Sequence, residues 1–123
     1  MEQINEDYVS FETAKLLKEK GFDGVVSAHY NNLGGVIMGT NPISKNTVKC
    51  PTLQMAMKWL REVHKIFIDV DYDSDEFKDS PYFSLIINMN TNDYFKGYGL
   101  PQEKSTYEEA CEAAIKYCLE KLI

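Results

Sequence analysis

The stretch from Thr52 to Met89 constrains the fold more than any other part of the chain. Thr52 is an N-cap residue, and Leu53, Ala56, Leu60 and Val63 follow it at helical spacing, which predicts a helix to about His64. Met55 and Trp59 lie four apart on a flanking face, so this helix is apolar over a wide arc and packs against both a sheet and another helix. Directly after it, Ile66-Phe67-Ile68-Asp69-Val70-Asp71 alternates, with Ile66, Ile68 and Val70 on one face of a strand. An acidic loop, Tyr72 to Pro81, leads to the strongly apolar run Tyr82 to Met89, predicted as a central strand because Ile86 and Ile87 point to opposite faces. A helix that runs straight into a hairpin defines an α+β class with an antiparallel sheet.

The flanking segments extend that pattern. Ser10, the run Phe11 to Lys20 and Gly21 predict a first helix over about 10–20, with Ala14, Leu17 and Phe22 facing inward. Val25 to Tyr30 and Val36 to Met38 read as two strands joined by Asn31-Asn32-Leu33-Gly34-Gly35, since Asn and Gly tolerate positive φ. Residues 39–51 read as a polar loop with Pro42 and Pro51, and residues 90–104 as a loop with short strand character near Tyr94 to Tyr98. Ser105-Thr106-Tyr107-Glu108 reads as a capping box opening a third helix, whose buried stripe is Tyr107, Cys111, Ala114, Cys118 and Leu122. Glu108, Glu109 and Glu112 sit near the positive end of that helix. The expectation is one domain over residues 1–123, with three helices and an antiparallel sheet of about four strands, in the order helix, strand, strand, helix, strand, strand, helix. Leu16-Leu17-Lys18-Glu19 beside Trp59-Leu60-Arg61-Glu62 hints at a duplication, but four residues are too short a match to carry it.

Composition narrows the function classes. The net charge of −6 disfavours partners with phosphate backbones. The charge is uneven, however. Residues 1–40 carry three Lys against six acids (net −3), residues 41–65 carry four Lys and one Arg against one acid (net +4), and residues 66–123 carry five Lys against twelve acids (net −7). No run approaches the roughly 18 apolar residues of a membrane span, and Met1 to Asp7 has neither a basic nor an apolar signal region, so a cytoplasmic protein is expected. Cys50, Cys111 and Cys118 read as reduced, partly buried thiols; the last two share a helix at ~10 Å separation, too far for a disulfide.

No group of residues has the spacing that chemistry requires. The acidic run Asp69-Val70-Asp71-Tyr72-Asp73-Ser74-Asp75-Glu76 lacks the Gly and Glu that a calcium loop needs at its sixth and twelfth positions. His29 and His64 have no partner at a catalytic spacing, and Gly34, Gly35 and Gly39 punctuate a hairpin and do not cradle phosphate. No cofactor or metal is expected. Tyr94, Phe95 and Tyr98, set in a Gly-flanked loop, are the candidate binding residues, because rigid rings give much contact area for little entropy. Their structural alternative is a lid folded over the core.

Several runs carry a resemblance: Tyr8-Val9-Ser10, Leu16 to Asp23, Pro51 to Met55, Trp59 to His64, and Tyr107 to Ala110 leading into Ala113-Ala114-Ile115. On these the chain resembles small uncharacterised proteins of prophages and integrated mobile elements from gut anaerobes. The shared residues are caps, core and turns, so the resemblance implies an accessory protein acting by binding and transfers no site. Val25 to Ser44 departs most from that pattern. The resulting expectation is a non-enzymatic module that binds a protein partner. A nucleic-acid binder using Lys45, Lys49, Lys58, Arg61 and Lys65 is the alternative, followed by a small-ligand binder or an enzyme whose site assembles from Asp69, Asp71 or His29. Met55 and Trp59 offer a seam for a homodimer.

Overall fold

The computed structural model describes residues 6–39, 46–95 and 100–123. Helix α1, Phe11–Glu19, starts where the Ser10 side chain accepts the Thr13 N–H at 3.2 Å. It ends in a Schellman motif: Phe22 N–H donates to Leu17 O and Gly21 N–H to Lys18 O, with Gly21 at φ +91°, the left-handed position that favours glycine. Thr13, Ala14 and Leu17 are buried, and so is Phe22 just beyond the helix.

Strands β1 (Ala28–Tyr30) and β2 (Val36–Met38) form the expected hairpin. Its turn is held by Asn31, whose Oδ1 accepts N–H groups from Leu33 and Gly35. Gly34, at φ +86°, lies so close to the Phe11 ring that a Cβ there would come within 3.1 Å of it, so the turn packs onto α1. β1 is shorter than the predicted 25–30 strand. Val25 is 78% exposed and unpaired, because the ladder with β2 closes at the bond from Gly39 N–H to Ser27 O. The other side of β1 pairs with β3 (Val48–Lys49), a strand of two residues within the segment read as loop. The first sheet thus has the order β2-β1-β3.

Helix α2, Leu53–His64, is capped by Thr52 as the sequence predicts and closes on Lys65 in the left-handed region, φ +57°. Its buried residues are Leu53, Ala56, Met57 and Leu60. Val63 is 58% exposed instead of buried, because it lies on the last turn before the chain reverses at Lys65. Trp59 is half-buried, with its ring edge-on to Phe22 and to His64 at 5.6 and 4.7 Å. The long hairpin follows: β4 (Ile66–Tyr72) pairs with β5 (Tyr82–Asn88), and β5 pairs with β6 (Asp93–Tyr94), giving the order β4-β5-β6. β5 is central, as its apolar run implies.

Helix α3, Tyr107–Tyr117, starts one residue later than expected. Thr106, not Ser105, accepts the N–H of Glu109 at 3.1 Å, while Ser105 Oγ donates to the Glu109 carboxylate. Both Ser105/Glu108 and Thr106/Glu109 satisfy the capping-box spacing, so the pattern alone could not choose. The buried arc is Ala110, Cys111, Ala114, Ile115, Cys118 and Leu119. Tyr107 is 37% exposed and Leu122 only half-buried, because pairs four residues apart run down the centre of the arc and the chain widens into a π-helical turn at Cys118–Leu122. Glu112 does not serve its own helix. Its carboxylate accepts from Ser10 N–H and, at 2.7 Å, from Thr13 Oγ1, so it caps α1 from across the core.

Among the described residues the fold is α+β with three helices and antiparallel sheets, as expected. The strands described there number six in two sheets of three where about four in one sheet were expected, because β3 and β6 are two-residue ladders without periodicity. The inner face of β4-β5-β6 (Ile66, Ile68, Val70, Ile86) packs on α2 and α3, and α1 packs on α3 and β3. Cys50, Cys111 and Cys118 are free and buried, and burial pushes all three thiols up, Cys118 to about 12. We expect none of the three to react with an aromatic disulfide reagent in the native protein and all three to react in guanidinium. Rapid native labelling would contradict this packing.

Candidate functional site

Pairing register divides the second sheet into two faces. Residues directly opposite each other share a face, so Phe67 with Ile87, Asp69 with Leu85, Asp71 with Phe83, and Tyr94 with Ile87 all lie on the face away from α2 and α3. Among the described residues the helices that contact this sheet, α2 and α3, pack on its inner face. Phe67 is 38% and Tyr94 51% exposed, while Phe83, Leu85 and Ile87 are half-buried. Phe77, from the turn after β4, closes one end with its ring 5.7 Å from that of Phe83. The result is an apolar surface with two carboxylates along one side.

Among the described residues those carboxylates have no ion-pair partner. Asp69 and Asp71 are two residues apart on one strand face, ~7 Å along the backbone, and both are half-buried. Burial and then the neighbouring Asp71 push the Asp69 carboxyl above the usual range. Among the described residues the only ion pair joins Lys116 to Glu12, at 3.0 Å and away from this face. The next acid, Asp73, is used locally, its Oδ1 accepting N–H groups from Asp75 and Glu76 to hold the turn. No group of three or more His, Cys, Asp or Glu converges on a metal position among the described residues.

The aromatic loop is split by this geometry. Tyr94 belongs to β6 and points to the outer face. Phe95, the next residue, donates its N–H to Ile86 O at 2.8 Å and packs on the core from the inner side. Tyr98 lies outside the described residues. One ring is thus a surface group and its neighbour part of the core. Phe95→Ala is expected to cost about 2–3 kcal/mol in stability, and Tyr94→Ala less than about 0.5 kcal/mol. Thermal unfolding of the two variants checks this, and equal losses would contradict the split.

The basic residues do not act alike. Lys45 lies outside the described residues. Lys49, on β3, donates its ammonium to the carbonyls of Asp23 and Gly24, at 3.1 and 2.8 Å, and so ties down the segment before β1. Lys58 and Arg61 share one side of α2 by their spacing, whereas Lys65 is the left-handed residue that ends the helix. His29 is buried in β1, in the other sheet from Asp69 and Asp71. The polar neighbours of Cys50 are the Val9 carbonyl and the Tyr30 hydroxyl, not a histidine. A cleft of ≈100 Å³ is lined by Glu6, Asp7, Leu53, Gln54, Tyr107 and Glu108, and one of ≈220 Å³ by Pro101, Ala113, Lys116, Tyr117, Glu120 and Lys121. Neither gathers a nucleophile beside a base.

Sequence reasoning put Tyr94 forward but missed Phe67, Phe83, Leu85 and Ile87. The signal was present: the alternation that turned Ile66, Ile68 and Val70 inward also turned Phe67 outward. No protein-family model matches the chain, and neither does any curated protein or solved structure. No helix among the described residues is long and apolar enough to cross a membrane.

Proposed function

We propose that this chain is a non-enzymatic module that binds a protein partner through the outer face of β4-β5-β6. The observation that carries the reading is the apolar row of Phe67, Phe83, Leu85, Ile87 and Tyr94, covered by no helix among the described residues. A surface of this kind loses free energy to water unless another surface covers it, which is how contiguous apolar patches come to mark interaction sites. The accessory role in a prophage or mobile element, and a cytoplasmic location, belong to the same proposal and rest on the sequence resemblance and composition.

The test is affinity capture from cells of the source organism, comparing the native chain with a Phe67→Ser, Tyr94→Ser variant. Both side chains are exposed, so the variant is expected to fold, and its thermal transition is measured first. A stoichiometric protein partner captured by the native chain and lost from the variant supports the proposal. Equal capture by both, or capture of nothing, overturns it.

A further inference from the structure

Resting on that reading, we infer that the partner is cationic, a protein segment that sets Lys or Arg side chains against Asp69 and Asp71 while its apolar side chains cover Phe83, Leu85, Ile87 and Tyr94. The argument is charge complementarity. Asp69 stands opposite Leu85 and Asp71 opposite Phe83, so each carboxylate is flanked by apolar surface on the side where a partner would lie. Covering that surface removes water from both carboxylates. Desolvating an unpaired charge opposes binding strongly enough to cancel the gain from the apolar contacts. An apolar partner without charges, or one with acidic groups, is therefore excluded by the same face that would attract it.

The other occupants fare worse for the same reason. Two copies laid face to face would bring two pairs of aspartates into one dry seam, and among the described residues neither aspartate has an ion-pair partner. Nucleic acid and anionic lipid carry the wrong sign. Asp69 also shows the strain of the free state: its carboxyl is already pushed toward its neutral form by burial and by Asp71. A partner cation placed between the two carboxylates offsets both causes.

The test uses two designed helical peptides of equal length, one patterned with Leu and Lys and one with Leu and Glu. Each is titrated into the labelled full chain and followed by backbone amide NMR. The expected result is that the Leu–Lys peptide shifts the amides of Phe67, Leu85, Ile87 and Tyr94, and that Asp69→Asn with Asp71→Asn weakens its binding by about tenfold or more. Asp75→Asn with Glu76→Gln removes the same charge from the adjacent turn and is expected to leave the affinity within about twofold. If the two pairs of substitutions weaken binding equally, only net charge is being read and the inference fails. If the Leu–Glu peptide binds the face as well as the Leu–Lys peptide, the cationic partner is overturned while the binding face stands. If neither peptide shifts those amides, the face itself is wrong and both readings fall.

Discussion

Replacing Glu112 by Ala is expected to lower the unfolding free energy by about 2–4 kcal/mol, far more than an ordinary helix-surface substitution. The carboxylate accepts from Ser10 N–H and from Thr13 Oγ1 at 2.7 Å, and Thr13 is fully buried. Truncation leaves a buried hydroxyl and a helix N-terminal amide without a partner, and it removes an anion from the positive end of α1. Glu112→Gln keeps one acceptor oxygen and should cost roughly half as much. Urea unfolding of both variants measures this. In a Thr13→Val background the loss from Glu112→Ala should shrink, because the orphaned hydroxyl is gone. A loss below about 1 kcal/mol for Glu112→Ala in the native background would contradict the assignment of this contact as a cap.

Leu60→Ala carries the other large effect, about 3–5 kcal/mol. Leu60 is fully buried on the helix that contacts both β4 and α3, so the cavity is enclosed by three elements that cannot all collapse into it. The internal control is Val63→Ala on the same helix. Val63 is 58% exposed, and its truncation should stay within about 0.5 kcal/mol. From sequence alone the two positions belong to one stripe and would be expected to behave alike. Thermal unfolding separates them, and comparable losses would mean that the last turn of α2 is packed rather than free.

That pair shows what the sequence could and could not reveal. Caps and periods were legible: Ser10, Gly21, Thr52 and the alternation of Ile66, Ile68 and Val70 reflect local backbone chemistry, and each stands where it was read. Terminations were less legible. Val25 has strand chemistry but no partner to pair with, and Val63 continues a helical stripe past the point where the core ends. β3 escaped notice, and β6 was read only as short strand character near Tyr94, because a two-residue strand has no period and exists only by virtue of its neighbour. The candidate site suffered from the same limit. Tyr94 and Phe95 are adjacent in sequence, and only the register of β6 on β5 sends one to the surface and the other to the core. The role of Glu112 lay further out of reach, since its partners are 102 and 99 positions away.

That separation has a consequence for the chain as it is made. α1 has nine residues, too few to hold a helix alone in water. Part of the surface it buries against, and the carboxylate that caps it, belong to a helix synthesised about a hundred residues later. At ~5–20 residues per second, roughly 5–20 s pass between the appearance of Leu17 and that of Ile115. Through that interval the side of α1 that faces α3 stays open to solvent and to chaperones, while β3 and the β1–β2 turn are already available to its other side. Completion of the native docking of the first helix is therefore a late event in the life of the nascent chain, gated by translation of α3 and not by the speed with which α1 itself can coil.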